Sequence, residues 1–409
     1  MLNLLPAELW DYRLADAFAA LRVALTAKRS AVERIELSGL GSCIPARSAR
    51  AGLVTAIQSF ELPPQSRIGV PLYCCPVVFK AITMAGCVPR FIDVEPSTFC
   101  ISSDDLSAKR AEVDAVIAVH MFGNVCNIPE LRDTVGEKPI IEDCALSLGS
   151  RLNGRPTGTL GEIGVFSFRS GKYLSVGEGG ALYANDPELR RSLRRSISAL
   201  PASKAGDELI HIVKTYLRSS LRSKPLYGLL GHALWEKYNQ RAEYSDKSPI
   251  SMTQPFKTDL TLAAKRLPNL DLIIQRQRDI ARRYASSLRL PPAMLCLEQP
   301  GAFYNRYQYP ILFPTQEQRD AMAKHLLKTQ IDTSRPLDEV AGVATHHYGY
   351  ANDCPTAERL SKRTLVIPSY HSLTDKEVDS LAQSVNDGWS QIENRAHATA
   401  GTLVGATTG

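Results

Sequence analysis

Pro139-Ile140-Ile141-Glu142-Asp143 is a short β-branched run that ends on two acids. Twenty-nine residues beyond the aspartate stands Lys172, within Val165-Phe166-Ser167-Phe168-Arg169-Ser170-Gly171-Lys172-Tyr173-Leu174. The first run reads as a buried strand with a carboxylate at its tip. In an open α/β sheet, ligands gather beyond the carboxyl ends of the strands, so that tip faces the expected crevice. A buried acid needs a cationic partner. A lysine flanked by bulky aromatic residues is partly desolvated, which lowers its pKa and favours the neutral, nucleophilic amine. Ser167 can bind an oxyanion, and Gly177-Glu178-Gly179-Gly180 lets backbone approach closely. Taken singly, Asp143 also reads as a strand-end cap, Lys172 as a solvated loop residue and Glu178 as a turn residue.

Working outward, Arg67-Ile68-Gly69-Val70, Val88 to Asp93 and Ala115 to Val119 are further short strand candidates, separated by helix-like stretches. That alternation predicts parallel strands joined by crossover helices between about 45 and 185. The strand ends point to Tyr73, His120 and Asp143. Asp186-Pro187-Glu188 supplies an N-cap, a proline at the first helical position and an early acid. Between 207 and 245 lies an amphipathic basic segment, with Leu209, Val213, Tyr216, Leu217 and Leu221 at helical spacing beside Lys214, Arg218 and Arg222. An Arg-rich helix from Leu267 to Leu288 and a strand from Tyr307 to Phe313 follow. The fold class is α/β: a large three-layer, mainly parallel domain over 1–245 that includes the 207–245 insert, and a smaller α+β domain over 246–390. Residues 391–409, rich in Ala, Thr and Gly towards their end, read as a disordered tail.

Composition bounds the function classes. The chain has 409 residues, 44% hydrophobic and 22% charged, which suits a packed fold and excludes a disordered one. Its net charge of +6 suits anionic ligands and falls far below that of a dedicated nucleic-acid binder. Nine Cys without a C-x-x-C pair point to a reducing, cytoplasmic setting and not to a disulfide framework. The N-terminal stretch lacks the basic-then-apolar order of a signal peptide, and no run is long enough for a transmembrane helix. Adjacent His346 and His347 cannot share a helix face as metal ligands, so no metal site is expected.

Asp143, Ser167 and Lys172 together suit a cofactor with a basic ring nitrogen, a phosphate and an aldehyde, the three handles of pyridoxal phosphate. Ile141-Glu142-Asp143-Cys144-Ala145, Thr157-Gly158-Thr159-Leu160-Gly161-Glu162-Ile163-Gly164, Phe166-Ser167-Phe168, Lys172 and Glu178-Gly179-Gly180 resemble the DegT-type sugar aminotransferases. These are pyridoxal-phosphate enzymes of the aspartate-aminotransferase fold, and the likeness spans about residues 45 to 385. It implies Lys172 as the Schiff-base lysine and proton shuttle, Asp143 as the partner of the pyridine nitrogen, and Ser167 as a phosphate ligand. The family's helix-start phosphate site falls on Arg47 and Ser48. The resemblance also implies a homodimer, with glutamate as amino donor and a nucleotide-linked keto-sugar as acceptor.

The chain departs from the family pattern at several points. Cys75 stands where the family places an aromatic ring that stacks on the cofactor, which leaves Tyr73 as a substitute or leaves no stacking. Leu146 replaces a Gln or His that contacts the cofactor ring oxygen. The Gly-Tyr-Asn-x-Arg-Met type segment given across the dimer is not recognisable between 200 and 260, so no cross-subunit residue is named. Three other readings of the activity stay open: a lipid-linked or natural-product carbonyl as acceptor, a sugar dehydratase, and a non-catalytic binding homologue. The basic segment has three readings of its own: packing on the large domain with its Lys and Arg solvated, which is the favoured one, contact with the diphosphate of a nucleotide-sugar, and peripheral membrane contact through 207–230. Lys172 favours transamination over dehydration, because the dehydratase branch carries His at this position.

Overall fold

The computed structural model describes residues 3–26, 35–37, 39–242 and 249–405; the last three positions of the 207–245 segment lie outside them. Thirteen strands occur in these residues: β1 Ile35–Leu37, β2 Gly41–Ala46, β3 Arg67–Pro71, β4 Val88–Ile92, β5 Ala115–Val119, β6 Ile140–Asp143, β7 Arg151–Leu152, β8 Arg155–Pro156, β9 Ile163–Ser167, β10 Gly180–Ala184, β11 Ala302–Phe303, β12 Tyr309–Leu312 and β13 Thr364–Ile367. Eight form the main sheet in the order β1-β2-β10-β9-β6-β5-β3-β4. The five from β9 to β4 run parallel. Their near-continuous apolar sequence follows from cover on both faces, and all five residues of β5 are buried.

Parallel alignment brings the carboxyl ends of β3, β5, β6 and β9 to one edge, followed by Leu72 to Cys75, His120, Cys144 and the 168–172 turn. Strand β10 runs antiparallel between β9 and β2, so Gly180 faces both Ser167 and Ala46. A side chain there has no room: a Cβ on Gly180 would lie 2.5 Å from Phe166 O and 2.7 Å from Ala49 N. That close approach delivers the N-terminus of the helix Ala49–Gln58 to the end of β9.

Two cores cross the division expected at residue 245. The main-sheet core takes in Val340, Val343, Ala344, Tyr348, Tyr350, Cys354, Ala357 and Leu360. The second core wraps the antiparallel pair β12/β13 with the helices Leu270–Ser287, Gln316–Lys328 and Asp375–Gly405, and it takes in Leu5. Leu5 donates to Gln330 O (2.9 Å) and accepts from Asp332 N–H (2.9 Å), which ties the N-terminal strap to the C-terminal body. The helix from Asp375 runs to Gly405, where sequence composition suggested a disordered tail from 391. Val378, Leu381, Ala382, Val385 and Trp389 anchor it in the second core with Ile392 against them, and the Ala-rich continuation suits a helix.

Glu142 sets the geometry of the edge. Side chains alternate across a strand, so while Asp143 ends β6 at the crevice, Glu142 points the other way and is fully buried. Its Oε1 accepts the N–H groups of Leu160 and Gly161 (both 2.7 Å), and its Oε2 accepts Gly158 N–H (2.8 Å) and contacts His120 Nε2 (3.0 Å). Cys126 N–H points at His120 Nδ1 (3.0 Å), so Nδ1 accepts and Nε2–H donates to Glu142. His120 is therefore a core residue, one of the two roles its sequence position allowed. Glu142→Leu leaves three buried N–H groups without an acceptor, and we expect a loss of about 3 to 5 kcal/mol in a urea titration. A loss under about 1 kcal/mol would show that this network does not hold the edge.

Candidate active site

Lys172 sits in the turn beyond β9. Phe168 and Leu174 on either side are fully buried and pin the turn down, while the Lys172 N–H donates to Arg169 O (2.9 Å). The side chain is half-buried, with Nζ 5.1 Å from the centre of the Tyr307 ring. Tyr307 donates its hydroxyl to Gly171 O, and Tyr173 donates to Asn305 O (2.7 Å), so a segment 135 residues away fixes the turn. Desolvation, helped by the charge of Arg169, lowers the Lys172 pKa from 10.5 to about 8; Glu8, Cys75 and Asp143 oppose it. A substantial fraction of this amine is therefore neutral near pH 8.

Asp143 is buried, and burial pushes its carboxyl above the ordinary value. The Ala145 N–H that it accepts (3.0 Å) and the charge of Lys172 act in the opposite direction. Among the described residues it makes no ion pair, which leaves room for a cationic partner. Ser167 lies beside Gly180 at the end of β9 and is half-buried. Ser48 is the N-cap of the helix Ala49–Gln58: its Oγ accepts Ala51 N–H (3.2 Å), leaving its own proton free to donate. Arg47 is committed elsewhere, to the carboxylate of Glu178 and to the Phe256 ring 3.7 Å away. Its buried Nε has no partner among the described residues. Glu178, also held by Arg50 (2.9 Å), is thus an ion-pair centre.

Tyr73 needs a correction as a stacking candidate. It is fully buried in the main core, with its ring 5.3 Å from that of Phe99 and 6.1 Å from that of Phe122. The chain turns inward after β3, and aromatic burial outweighs exposure at the crevice. Cys75 takes the exposed position, just before the helix Pro76–Met84 and within electrostatic range of Lys172. Leu146 is half-buried, and its carbonyl accepts Asn305 Nδ2 (2.9 Å).

A cleft opens at Lys172, walled by Glu8, Gln277, Tyr307, Tyr370 and His371. Of the site residues read from sequence, Lys172 alone lines it, and Asp143 is near enough to act on the amine by its charge. Sequence reading missed Glu8, Asn305 and Tyr307. Asn305 is fully buried and bonds Leu146 O, Leu148 O (3.0 Å), Ser150 Oγ (2.9 Å) and Tyr307 N (2.9 Å), joining the loop after β6 to the cleft wall. The only local signal was the aromatic density at Tyr304 and Tyr307, which a strand reading absorbs. His120, Glu142 and Cys144 also converge to within 4.8 Å, but four donors occupy the Glu142 oxygens.

The donor set fits a phosphate-bearing aldehyde. A helix N-terminus with two hydroxyls meets a glycine whose Cβ would block the approach, a lysine is held partly neutral, and a buried carboxylate awaits a cation. Comparison with known proteins agrees. The model of the DegT/DnrJ/EryC1/StrS aminotransferase family matches residues 32–213 and 257–386; the unmatched interval holds most of the helical insert. GDP-perosamine synthase of Vibrio cholerae is 26% identical over 345 residues, 82% of this chain and 83% of that protein. The dTDP-4-dehydro-2,3,6-trideoxy-D-glucose 4-aminotransferase of Saccharopolyspora spinosa is 27% identical over 348 residues, 82% of this chain and 81% of that protein. The crystal structure of the aminotransferase TlmJ from Streptoalloteichus hindustanus, 22% identical, shares the fold with a TM-score of 0.72, covering 95% of this chain and 100% of that one. With the family model matching well over half of its length, this chain belongs to the DegT/DnrJ/EryC1/StrS aminotransferase family.

Proposed function

We propose that this chain moves an amino group from glutamate onto a keto-sugar carried on a nucleotide, with pyridoxal phosphate held at Lys172. The observation that carries the reading is the half-buried Lys172 amine, lowered to about 8, at a walled cleft and within electrostatic range of the buried carboxylate of Asp143. Pyridoxal phosphate, when bound, supplies the electron sink that makes amino transfer feasible. Lys172 holds the cofactor, and its Nζ takes and returns the proton at the reacting carbon. Asp143 balances the charge of a protonated ring nitrogen. Ser167, the Ser48 hydroxyl proton and the N-terminus of the helix Ala49–Gln58 hold the phosphate. Tyr307 and Asn305 keep the lysine turn in register.

A homodimer acting in the cytoplasm belongs to the same reading. Family resemblance supports the dimer; nine free thiols support the compartment. Among the described residues no helix is long and apolar enough to cross a membrane.

Three outcomes test the proposal. Purified protein given pyridoxal phosphate should gain visible absorbance that borohydride abolishes as it reduces the imine and fixes the cofactor covalently to Lys172, and Lys172→Ala should lose about a hundredfold or more in turnover with the fold intact by circular dichroism. Full turnover in Lys172→Ala would sink the reading, and failure of the wild type to take up the cofactor would favour a binding protein. Because desolvation lowers the amine, cofactor capture should rise with pH through about 8. Glu8→Gln removes a carboxylate that raises the Lys172 pKa, so the midpoint should move to lower pH; an upward shift would place Glu8 elsewhere. Asp143→Asn should keep cofactor capture yet cut turnover about a hundredfold or more; unchanged turnover would remove Asp143 from the chemistry.

A further inference from the structure

The helix Ala205–Leu221 is amphipathic in the inverted sense. The face it buries carries Glu208, Thr215 and Ser219 with Ile212. Glu208 accepts Thr258 N–H (2.9 Å), and Ser219 accepts Tyr12 N–H (3.0 Å) and donates to Trp10 O. The opposite face shows Ile210, Val213 and Leu217, each more than half exposed. Two neighbouring elements repeat the pattern. The helix Leu14–Thr26 packs along it and exposes Leu14, Phe18, Leu21 and Leu25, at i, i+4, i+7 and i+11. The chain then turns back through Tyr227–Gly231, where a Cβ on Gly231 would lie 1.9 Å from Leu221 O, and exposes Leu226, Leu229, Leu230 and Leu234. Eleven of the fourteen exposed large hydrophobic residues among those described lie on these three elements. A water-facing surface does not collect apolar rows in this way without something to cover them.

Charge decides what covers them. Exposed Arg22, Lys214, Arg218 and Lys237 flank the rows, and among the described residues none is in an ion pair. The acids of the same elements are fewer or occupied: Asp16 is held by Arg266 (2.7 Å) and Glu208 is buried, leaving Asp207 and Glu236. A two-fold contact between copies would set this cationic patch against itself. An anionic bilayer meets both needs, taking the apolar rows below its headgroups and the basic flanks at their level. The insert is also bound to the cleft. Arg222, almost fully buried, is clasped between Trp10 and Trp235 (4.3 and 3.6 Å) and lies 3.6 Å from Glu8, which lines the wall beside Lys172.

We infer that the face formed by residues 14–26, 205–221 and 226–237 docks the protein on the surface of an anionic bilayer. The inference is independent of the amino-transfer chemistry, and its test needs no substrate. Full-length protein should sediment with vesicles of phosphatidylcholine and phosphatidylglycerol, far less with phosphatidylcholine alone, and less again at high salt. Val213→Ser/Leu217→Ser and Leu229→Ser/Leu230→Ser change only exposed residues; each should weaken vesicle binding at least tenfold. Lys214→Gln/Arg218→Gln should weaken it severalfold on the anionic vesicles alone. Absence of wild-type vesicle binding overturns the inference. So do serine variants that bind vesicles normally but halve the mass seen by light scattering, since the face would then join two copies. A Lys214→Gln/Arg218→Gln protein that keeps vesicle binding but loses affinity for a nucleoside diphosphate would overturn it too, assigning those charges to a phosphate ligand.

Discussion

The buried carboxylate of Glu142 holds the sheet edge in place. One side chain gathers three backbone N–H groups from the loop that leads into β9 and one imidazole from the end of β5. A charge in that position survives only because its lone pairs are filled, and filling them brings β5, β6 and the approach to β9 together. The next residue, Asp143, then emerges at the crevice with its orientation already determined. Glu142 and Asp143 thus part by strand alternation, one held in the core network and one at the carboxyl edge of the sheet.

Placement of the lysine depends on the other end of the chain. The turn at Lys172 has little regular structure of its own, and its partners Tyr307 and Asn305 come from the segment ahead of β12. The strap at Glu8 arrives from the N-terminus through the bridge between Leu5 and Ile331. The cleft is therefore a joint product of three distant segments. The lowered pKa of its amine is a tertiary property, because desolvation there comes from groups that meet only in the folded chain.

The helical insert falls where the family match is interrupted, and its inverted amphipathicity separates it from an ordinary packing helix. Its polar side is consumed by hydrogen bonds to the strap and to Thr258, so the apolar side has to face outward. Arg222 carries the same segment into an aromatic clamp, where burial lowers its pKa and one guanidinium nitrogen has no partner among the described residues. The element that differs most from the family thus reaches the cleft wall through Arg222 and Glu8.

Local chemistry made the parallel strands, the Asp186 cap, and the ordered series Asp143, Ser167 and Lys172 readable from sequence. Strand periodicity, capping residues and motif spacing are short-range properties, and the sheet edge follows from them. Tyr73 was less transparent: an aromatic residue after a strand suits a crevice or a core equally well, and only the neighbouring rings of Phe99 and Phe122 decide. For Arg47, likewise, only the fold shows that Glu178, 131 positions away, holds its guanidinium. Glu8, Asn305 and Tyr307 were invisible because no spacing rule connects them to Lys172, which lies more than a hundred residues from each. The sequence by itself determined the class of fold and the family, and it set the candidate site residues in order. Tertiary structure alone decided which polar groups are already satisfied, which stay free to meet a ligand, and which face of the insert meets solvent, because each depends on long-range contacts that local sequence does not encode.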